Sequence, residues 1–172
     1  MVTLRRMWKS SCHYLGLLLW LAAPFAVSDT AVGDIATEDP RTLVYGMWAS
    51  KGSVFSIEEV DGLLQAHVVA LKKQNRLDKK NPEAELRARP VRGLQLLSDY
   101  KFSRGAWRGR IYDPASGKTF KSHMKRDAAG NLRVRGFIGI QWFGKTQIFE
   151  PVSVCSERIV SMLTSADLGH LC

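Results

Sequence analysis

The chain has 172 residues, of which 45% are hydrophobic and 24% charged, with three cysteines and a formal net charge of +9. A chain of this length buries about two-thirds of its unfolded surface, which excludes a mini-protein that depends on a metal or a disulfide framework to fold. The composition therefore predicts one independently folding domain.

The N-terminal segment has the pattern of a signal peptide. Three cations precede an apolar stretch: Arg5, Arg6 and Lys9. The apolar stretch, residues 14–23, is shorter than the ~20 residues that span a bilayer. Ala26 and Ser28 have the spacing that a signal peptidase recognises, so we expect cleavage after Ser28, with Ala26 or Ala31 as alternative ends. The pattern predicts a periplasmic or secreted protein without a transmembrane span in its mature form.

The remaining residues carry 22 Lys and Arg against 16 Asp and Glu, a net charge of +6. Residues 29–71 contain two cations and seven anions, whereas residues 72–92 contain eight and three, and residues 101–135 contain ten and two. Export argues against nucleic acid as the partner of this basic region. The alternatives are an anionic envelope component, such as acidic lipid head groups, glycans or protein, and a basic strand face that is simply solvated.

Short runs of β-branched and aromatic residues alternate with turn signals from residue 44 onward, which is typical of an antiparallel sandwich or barrel. About eight strands are predicted at residues 44–49, 54–60, 63–71, 94–97 with 100–102, 107–112, 118–125, 132–138 and 145–152, the fourth of them short or bulged. Asp61-Gly62 is a hairpin signal, because both residues tolerate positive φ. Eight antiparallel strands can close on themselves, so the fold class is all-β, an antiparallel barrel.

The other segments are assigned by composition. Residues 29–42 form an N-terminal extension and residues 43–152 the barrel domain. Residues 72–92 are polar, contain two prolines and are too long for a hairpin turn, which predicts a lid-like loop with one helical turn near residues 82–87. Residues 153–172 form a short C-terminal helical tail, with apolar residues near helical spacing, that we expect to pack outside the barrel.

Alternation supports the barrel. Phe120, Ser122 and Met124 share one strand face, and in the next strand Arg133 and Arg135 share the face opposite the apolar residues. One face is therefore core and the other basic. Gly109, Gly136 and Gly139 within strands predict a sharp bend of the sheet or a close approach to the backbone.

Four motifs resemble a known family. Gly46-Met47-Trp48 resembles the G-x-W that opens the first strand of lipocalins. More specific are DKKNPEAELRARPVRG at 78–93, WRGRIYDPASGKTF at 107–120 and NLRVRGFIG at 131–139. Together they resemble the bacterial domain of unknown function 2147, a family of small exported proteins. The resemblance covers about residues 43–152 and implies a lipocalin-like (calycin) barrel, an exported location and no established activity.

Nothing in the sequence predicts catalysis or a cofactor. His67, His123 and His170 lack ligand spacing, so no metal site is predicted. Asp113 and the Asp78–Asn81 pair could act as acid and base. Both lie next to proline, where such residues are ordinary turn formers. We therefore predict that the protein is not an enzyme.

Cys155 and Cys172 lie near the C-terminus, and in an oxidising compartment such a pair favours a disulfide. The alternative is that Cys155 is a nucleophile, with His123 or His170 as its base. A disulfide would remove that alternative. An uncharacterised hydrolase would need activity that depends on Cys155, His123 or Asp113.

The leading functional hypothesis is a barrel that binds a small hydrophobic or amphipathic molecule. Candidate cavity residues are Trp48, Trp107, Tyr112, Phe120 and Trp142, with Phe149. Candidate partners of an acidic head group are Arg110 and Arg135, with Arg108 and Arg133, although the outward alternation of Arg133 and Arg135 counts against them. The alternative is a filled barrel that acts as an envelope interaction protein through its basic face and the 72–92 loop.

Overall fold

The computed structural model describes residues 38–172, so the predicted signal peptide lies outside the described residues. Eight antiparallel strands follow one another: β1 Gly46–Ala49, β2 Ser53–Val60, β3 Leu63–Leu71, β4 Leu97–Ser103, β5 Ala106–Asp113, β6 Lys118–Arg126, β7 Leu132–Phe137 and β8 Lys145–Pro151. Each strand pairs with its neighbour in the chain, and β8 pairs with β1. The predicted all-β, antiparallel closed barrel is confirmed.

The up-and-down order gives the barrel two distinct ends, because consecutive antiparallel strands are joined alternately at one end and the other. The connections β1–β2, β3–β4, β5–β6 and β7–β8 share one end, called the open end below. The connections β2–β3, β4–β5 and β6–β7 share the other, the closed end. The predicted Asp61-Gly62 turn joins β2 to β3 with φ values of 51° and 75°, as a turn with two positive φ angles requires.

The fourth strand is bulged, as predicted, but it begins later than expected. Residues 94–96 lie outside β4, and the register slips between Ser98 and Lys101, where Asp99 has a φ of 57°. Leu96 explains the late start: its N–H donates to Ala66 of β3 while its carbonyl accepts from Tyr112 of β5. Because these bonds go to two different strands, this stretch bridges β3 and β5 and does not continue a regular ladder.

Two tryptophans fill the closed end. Trp48 is 3% exposed and donates its indole N–H to the Val44 carbonyl at 2.8 Å. Trp107 is 1% exposed and donates to the Arg41 carbonyl at 2.9 Å. Both acceptors lie on the chain that enters β1, so the indoles hold this segment across the barrel floor.

Gly109 has a packing role. A Cβ at this position would lie 2.4 Å from Cδ2 and 2.7 Å from Cα of Tyr100. The Tyr100 ring therefore lies over β5 on the inner wall, where only glycine leaves room, and its hydroxyl reaches Ser122 of β6, the register partner of Gly109. The expected close approach at this glycine is confirmed, and it buries the Tyr100 ring against the sheet.

The C-terminal tail packs outside the barrel. Its helix, α1 Glu157–Thr164, buries Ile159, Met162 and Leu163 in a cluster with Val54 of β2 and Ala70 of β3. The helical spacing in the sequence marked this face only in part, because Val160, one of the residues at that spacing, is exposed. None of the helices in residues 38–172 is long and apolar enough to cross a membrane.

Candidate functional site

The open half of the barrel contains a cavity of about 380 Å³. Its lining includes residues of three open-end connections, namely Ser50, Arg76, Val91 and Pro114, so its mouth lies at the open end. The apolar wall comes from the inward faces of the strands: Phe55, Ala66, Val68, Leu97, Ile111, Phe120, Met124, Val134 and Phe149. The barrel is therefore filled at its closed end and hollow at its open end.

Gly136 creates part of this space. It lies on β7 opposite Lys145 of β8, and a Cβ there would meet only Phe120, at an ordinary contact distance of 3.5 Å. The backbone thus tolerates a larger residue, and the missing side chain leaves room inside the barrel. Gly136 thus leaves space for the cavity, whereas Gly109 leaves space for the core. The placement of Gly139 within a strand was wrong, because β7 ends at Phe137.

Two cations lie at the cavity mouth. Alternation along β8 puts Lys145 on the same face as the buried Phe149, and Arg76 reaches the cavity from the β3–β4 loop. Neither cation forms an ion pair within 4.0 Å with a carboxylate of residues 38–172. The cavity therefore combines an apolar interior with positive charge at its entrance.

Asp113 also lies at the cavity mouth, where its carboxylate accepts hydrogen bonds from the turn that follows it. Asp113 accepts from the Ala115 N–H at 2.9 Å and from the Ser116 hydroxyl at 2.7 Å. This geometry is that of a turn-forming Asp, as expected for a residue before proline. It leaves Lys145 and Arg76 available to another anion.

The β3–β4 loop, residues 72–96, is held against β5 by Asp78, which is fully buried. One carboxylate oxygen accepts from the Tyr112 hydroxyl at 2.6 Å. The other accepts from Asn81 at 2.8 Å and from Nε and Nη2 of Arg89 at 3.0 and 2.9 Å. The Asp78–Asn81 pair thus anchors the loop that forms one side of the mouth.

The charge of Asp78 is stabilised within this cluster. Burial alone would raise the pKa of the carboxyl, but the hydrogen bonds from Tyr112, Asn81 and Arg89 and the charge of Arg89 outweigh burial and lower the pKa below its ordinary value. Burial and the hydrogen bond to Asp78 raise the pKa of the Tyr112 hydroxyl. The carboxylate is therefore ionised at neutral pH and fully bonded.

The residues predicted for the ligand site are spread over the molecule. Phe120 lines the cavity, and Tyr112 lies at its rim with its hydroxyl bonded to Asp78. Trp48 and Trp107 belong to the closed end, and Trp142 is 89% exposed in the β7–β8 connection. Only part of the predicted set thus surrounds the cavity.

The predicted arginines lie on the outer face. Arg110 alternates with the inward Ile111 and is exposed. Arg135 donates to the carbonyls of Gln141 and Trp142 at 3.2 and 3.1 Å, so it supports the β7–β8 connection. Arg108 and Arg133 share this outer face. The structure puts Lys145 and Arg76 at the mouth instead; the alternation of β8 could have indicated Lys145, whereas nothing in the sequence marks Arg76.

The cysteines and histidines considered as catalytic or metal-binding residues do not form such a site within residues 38–172. Cys155 and Cys172 are joined by a disulfide with a Cα–Cα distance of 5.6 Å, so Cys155 is not a free nucleophile. The pKa of His123 is lowered by burial and by the charges of Arg108, Arg135 and Lys125. No group of three or more His, Cys, Asp or Glu side chains within residues 38–172 is arranged to hold a metal ion.

An up-and-down barrel of eight strands with a G-x-W at its closed end and a cavity at its open end defines a lipocalin-like protein. A family model described as "Uncharacterized protein conserved in bacteria (DUF2147)" matches residues 46–150. The match covers more than half of the chain, and the chain belongs to this family. The resemblance inferred from its motifs is confirmed.

A solved structure supports the same fold. The chain is similar to protein HP1028 from the human pathogen Helicobacter pylori, which is described as belonging to the lipocalin family. The two share 22% identity with a TM-score of 0.57 over 70% of this chain and 88% of the other. At this identity the likeness establishes the fold. No curated protein matches the sequence significantly.

Proposed function

We propose that the protein binds a small amphipathic anion, with its apolar part in the cavity and its acidic group at the mouth. The observation that carries this proposal is the pairing of an apolar cavity with Lys145 and Arg76, two cations without a carboxylate partner among the described residues. Lipocalin-like barrels are typically binding proteins, which supports the same assignment.

The cavity limits the size of the ligand. Its volume of about 380 Å³ lies near the small end of the roughly 300–1,000 Å³ typical of ligand pockets. Burial of apolar surface contributes about 25 cal/mol per Å², so an acyl chain or a small ring system in contact with Phe55, Ile111 and Phe120 would supply most of the affinity. The ligand is a single small molecule with one acidic group.

The mouth selects for charge. The guanidinium of Arg76 offers forked donors to a carboxylate or phosphate, and the Lys145 ammonium adds a second positive charge. Because this contact is partly exposed, salt should weaken it, whereas burial of the apolar part should be insensitive to salt. This dependence distinguishes an amphipathic ligand from a purely apolar one.

A smaller cavity should weaken binding. We expect Gly136→Val to leave the barrel folded, since the space beside Gly136 accepts a Cβ, and to weaken uptake of a fluorescent fatty acid at least tenfold, about 1.4 kcal/mol. Fluorescence titration measures affinity, and thermal unfolding verifies the fold. Unchanged affinity in a folded variant would contradict binding in this cavity.

Charge at the mouth is tested in the same assay. Lys145→Gln should weaken the anionic probe several-fold and leave an uncharged analogue of the same chain length unaffected. Lys121→Gln is the matched control, because Lys121 lies on the outer face of β6. Equal effects of the two substitutions would mean that the probe senses net charge only.

We further propose that the protein acts outside the cytoplasm. The signal-peptide pattern of residues 1–28 supports export, and the Cys155–Cys172 bond suits an oxidising compartment. The intact mass of protein recovered from a bacterial envelope tests this. A chain that begins at or near Asp29 is expected, whereas an unprocessed chain confined to the cytoplasm would contradict export.

A further inference from the structure

The connection between β7 and β8, residues 138–144, exposes an unusual amount of apolar surface. Its sequence is IGIQWFG, and it contains no charged residue. Trp142 and Phe143 are 89% and 83% exposed, and Ile138 and Ile140 are 68% and 62% exposed. Contiguous exposed apolar patches on soluble proteins mark interaction sites, so this loop tip requires a partner.

The exposed side chains are held by an ordered backbone. Residues Gln141–Phe143 form a 3₁₀ turn, and Arg135 donates to the carbonyls of Gln141 and Trp142. The Gln141 side chain is 2.9 Å from Nδ1 of His123. The polar groups of the loop are thus bonded to the barrel on the side that faces it. Its apolar side chains face outward. The exposure is therefore a property of the folded loop.

The loop lies at the basic end of the barrel. The open-end connections, residues 50–52, 72–96, 114–117 and 138–144, contain nine cations and three anions. The closed-end connections, residues 61–62, 104–105 and 127–131, contain one cation and two anions. The uncharged aromatic tip thus shares one end of the barrel with most of the positive charge of the connections.

We propose that this end docks on a bilayer of anionic phospholipid, with Trp142 and Phe143 inserted at the interface. Indole rings favour the membrane–water interface, and basic residues near an anionic surface each contribute about 1 kcal/mol. A protein partner would need an acidic rim around an apolar pocket, whereas an anionic bilayer provides both properties over any area. The proposal does not depend on a ligand in the cavity, although docking would bring the cavity mouth to the lipid surface.

Vesicle binding tests the proposal through tryptophan fluorescence. A chain that begins at Asp29 contains every strand, the core and the disulfide, and has only Trp48, Trp107 and Trp142. Since Trp48 and Trp107 are buried, quenching by brominated lipid reports on Trp142. We expect quenching and co-sedimentation with vesicles of phosphatidylglycerol and phosphatidylethanolamine, and neither with phosphatidylcholine.

Two pairs of variants separate the apolar and charged contributions. The double substitution W142S/F143S should lower vesicle affinity at least tenfold, while V60S/L63S, two partly exposed residues at the closed end, should have little effect. K79Q/K80Q should lower affinity about twenty-five-fold at low salt, from about fivefold per lysine. K101Q/K125Q, on strands away from the open end, is its control and should change affinity less.

Absence of binding by the folded protein to anionic vesicles would overturn the proposal. Equal binding by W142S/F143S would also overturn it, because the loop would then play no part. A concentration-dependent dimer that disappears in W142S/F143S, without vesicle binding, would instead assign the loop to contact between two copies of the chain.

Discussion

Substitution of Asp78 by Asn is expected to lower the free energy of unfolding by about 3 kcal/mol. Removal of one partner of a buried ion pair typically costs about 3–5 kcal/mol, and the lower end applies because the Arg89 side chain remains 35% exposed. The amide group introduced by this substitution would also direct N–H donors toward the donors of Tyr112 and Asn81. The 72–96 loop should then detach from β5.

The pH dependence follows from the lowered pKa of Asp78. A carboxyl whose pKa is lower in the folded than in the unfolded protein stabilises the fold above its ordinary pKa, 3.8 here. This stabilisation is lost as the pH falls below that value through the folded pKa. The difference in stability between wild type and Asp78→Asn should therefore be constant near neutral pH and shrink in this acidic range.

Urea unfolding between pH 3 and pH 7 measures this difference, and limited proteolysis locates it. New cleavage sites should appear within residues 72–92 of the variant. Glu85→Gln is the control, because Glu85 is exposed in the same loop and should change neither measurement. A stable Asp78→Asn protein with an uncleaved loop would contradict the anchoring role of the cluster.

Loss of the disulfide should destabilise the C-terminal tail by about as much as Asp78→Asn destabilises the protein. Cys155 and Cys172 are 17 residues apart, and closure of a loop of about 15 residues stabilises a protein by about 3 kcal/mol through the unfolded chain. The bond encloses α1, whose Ile159, Met162 and Leu163 pack on the outside of the barrel. Cys155→Ser should therefore loosen α1 before the barrel unfolds.

Hydrogen exchange provides the measurement, since amides of α1 should exchange faster in the variant while amides of β5 and β6 stay protected. Addition of dithiothreitol to wild type should reproduce the loss of stability and leave Cys155→Ser unchanged. Detection of two free thiols in the untreated folded protein would show that the bond is absent.

The strand pattern was predictable because the barrel is built from local rules. Alternation on β6 assigned Phe120, Ser122 and Met124 to one face, and the structure confirms that face as inward. The Asp61-Gly62 turn followed from backbone sterics alone. These signals involve residues near one another in the chain, so the sequence contains them directly.

The candidate site depends on distances that the sequence does not contain. Aromatic residues were expected to line one cavity, yet Trp107 fills the closed end and Trp142 points to solvent. Their depth along the barrel depends on strand stagger, which only closure determines. Arg76 reaches the mouth because Asp78 anchors its loop to a strand more than thirty residues later. The reach of a long loop is a tertiary property.

Native mass spectrometry of the protein purified from its own host is the most direct test of ligand binding, with denaturing extraction to identify what is released. We expect a stoichiometric adduct of one small amphipathic anion that is displaced by added fatty acid and much less abundant in the folded Gly136→Val variant. A clean apo mass, with no uptake of fatty acid afterward, would contradict it.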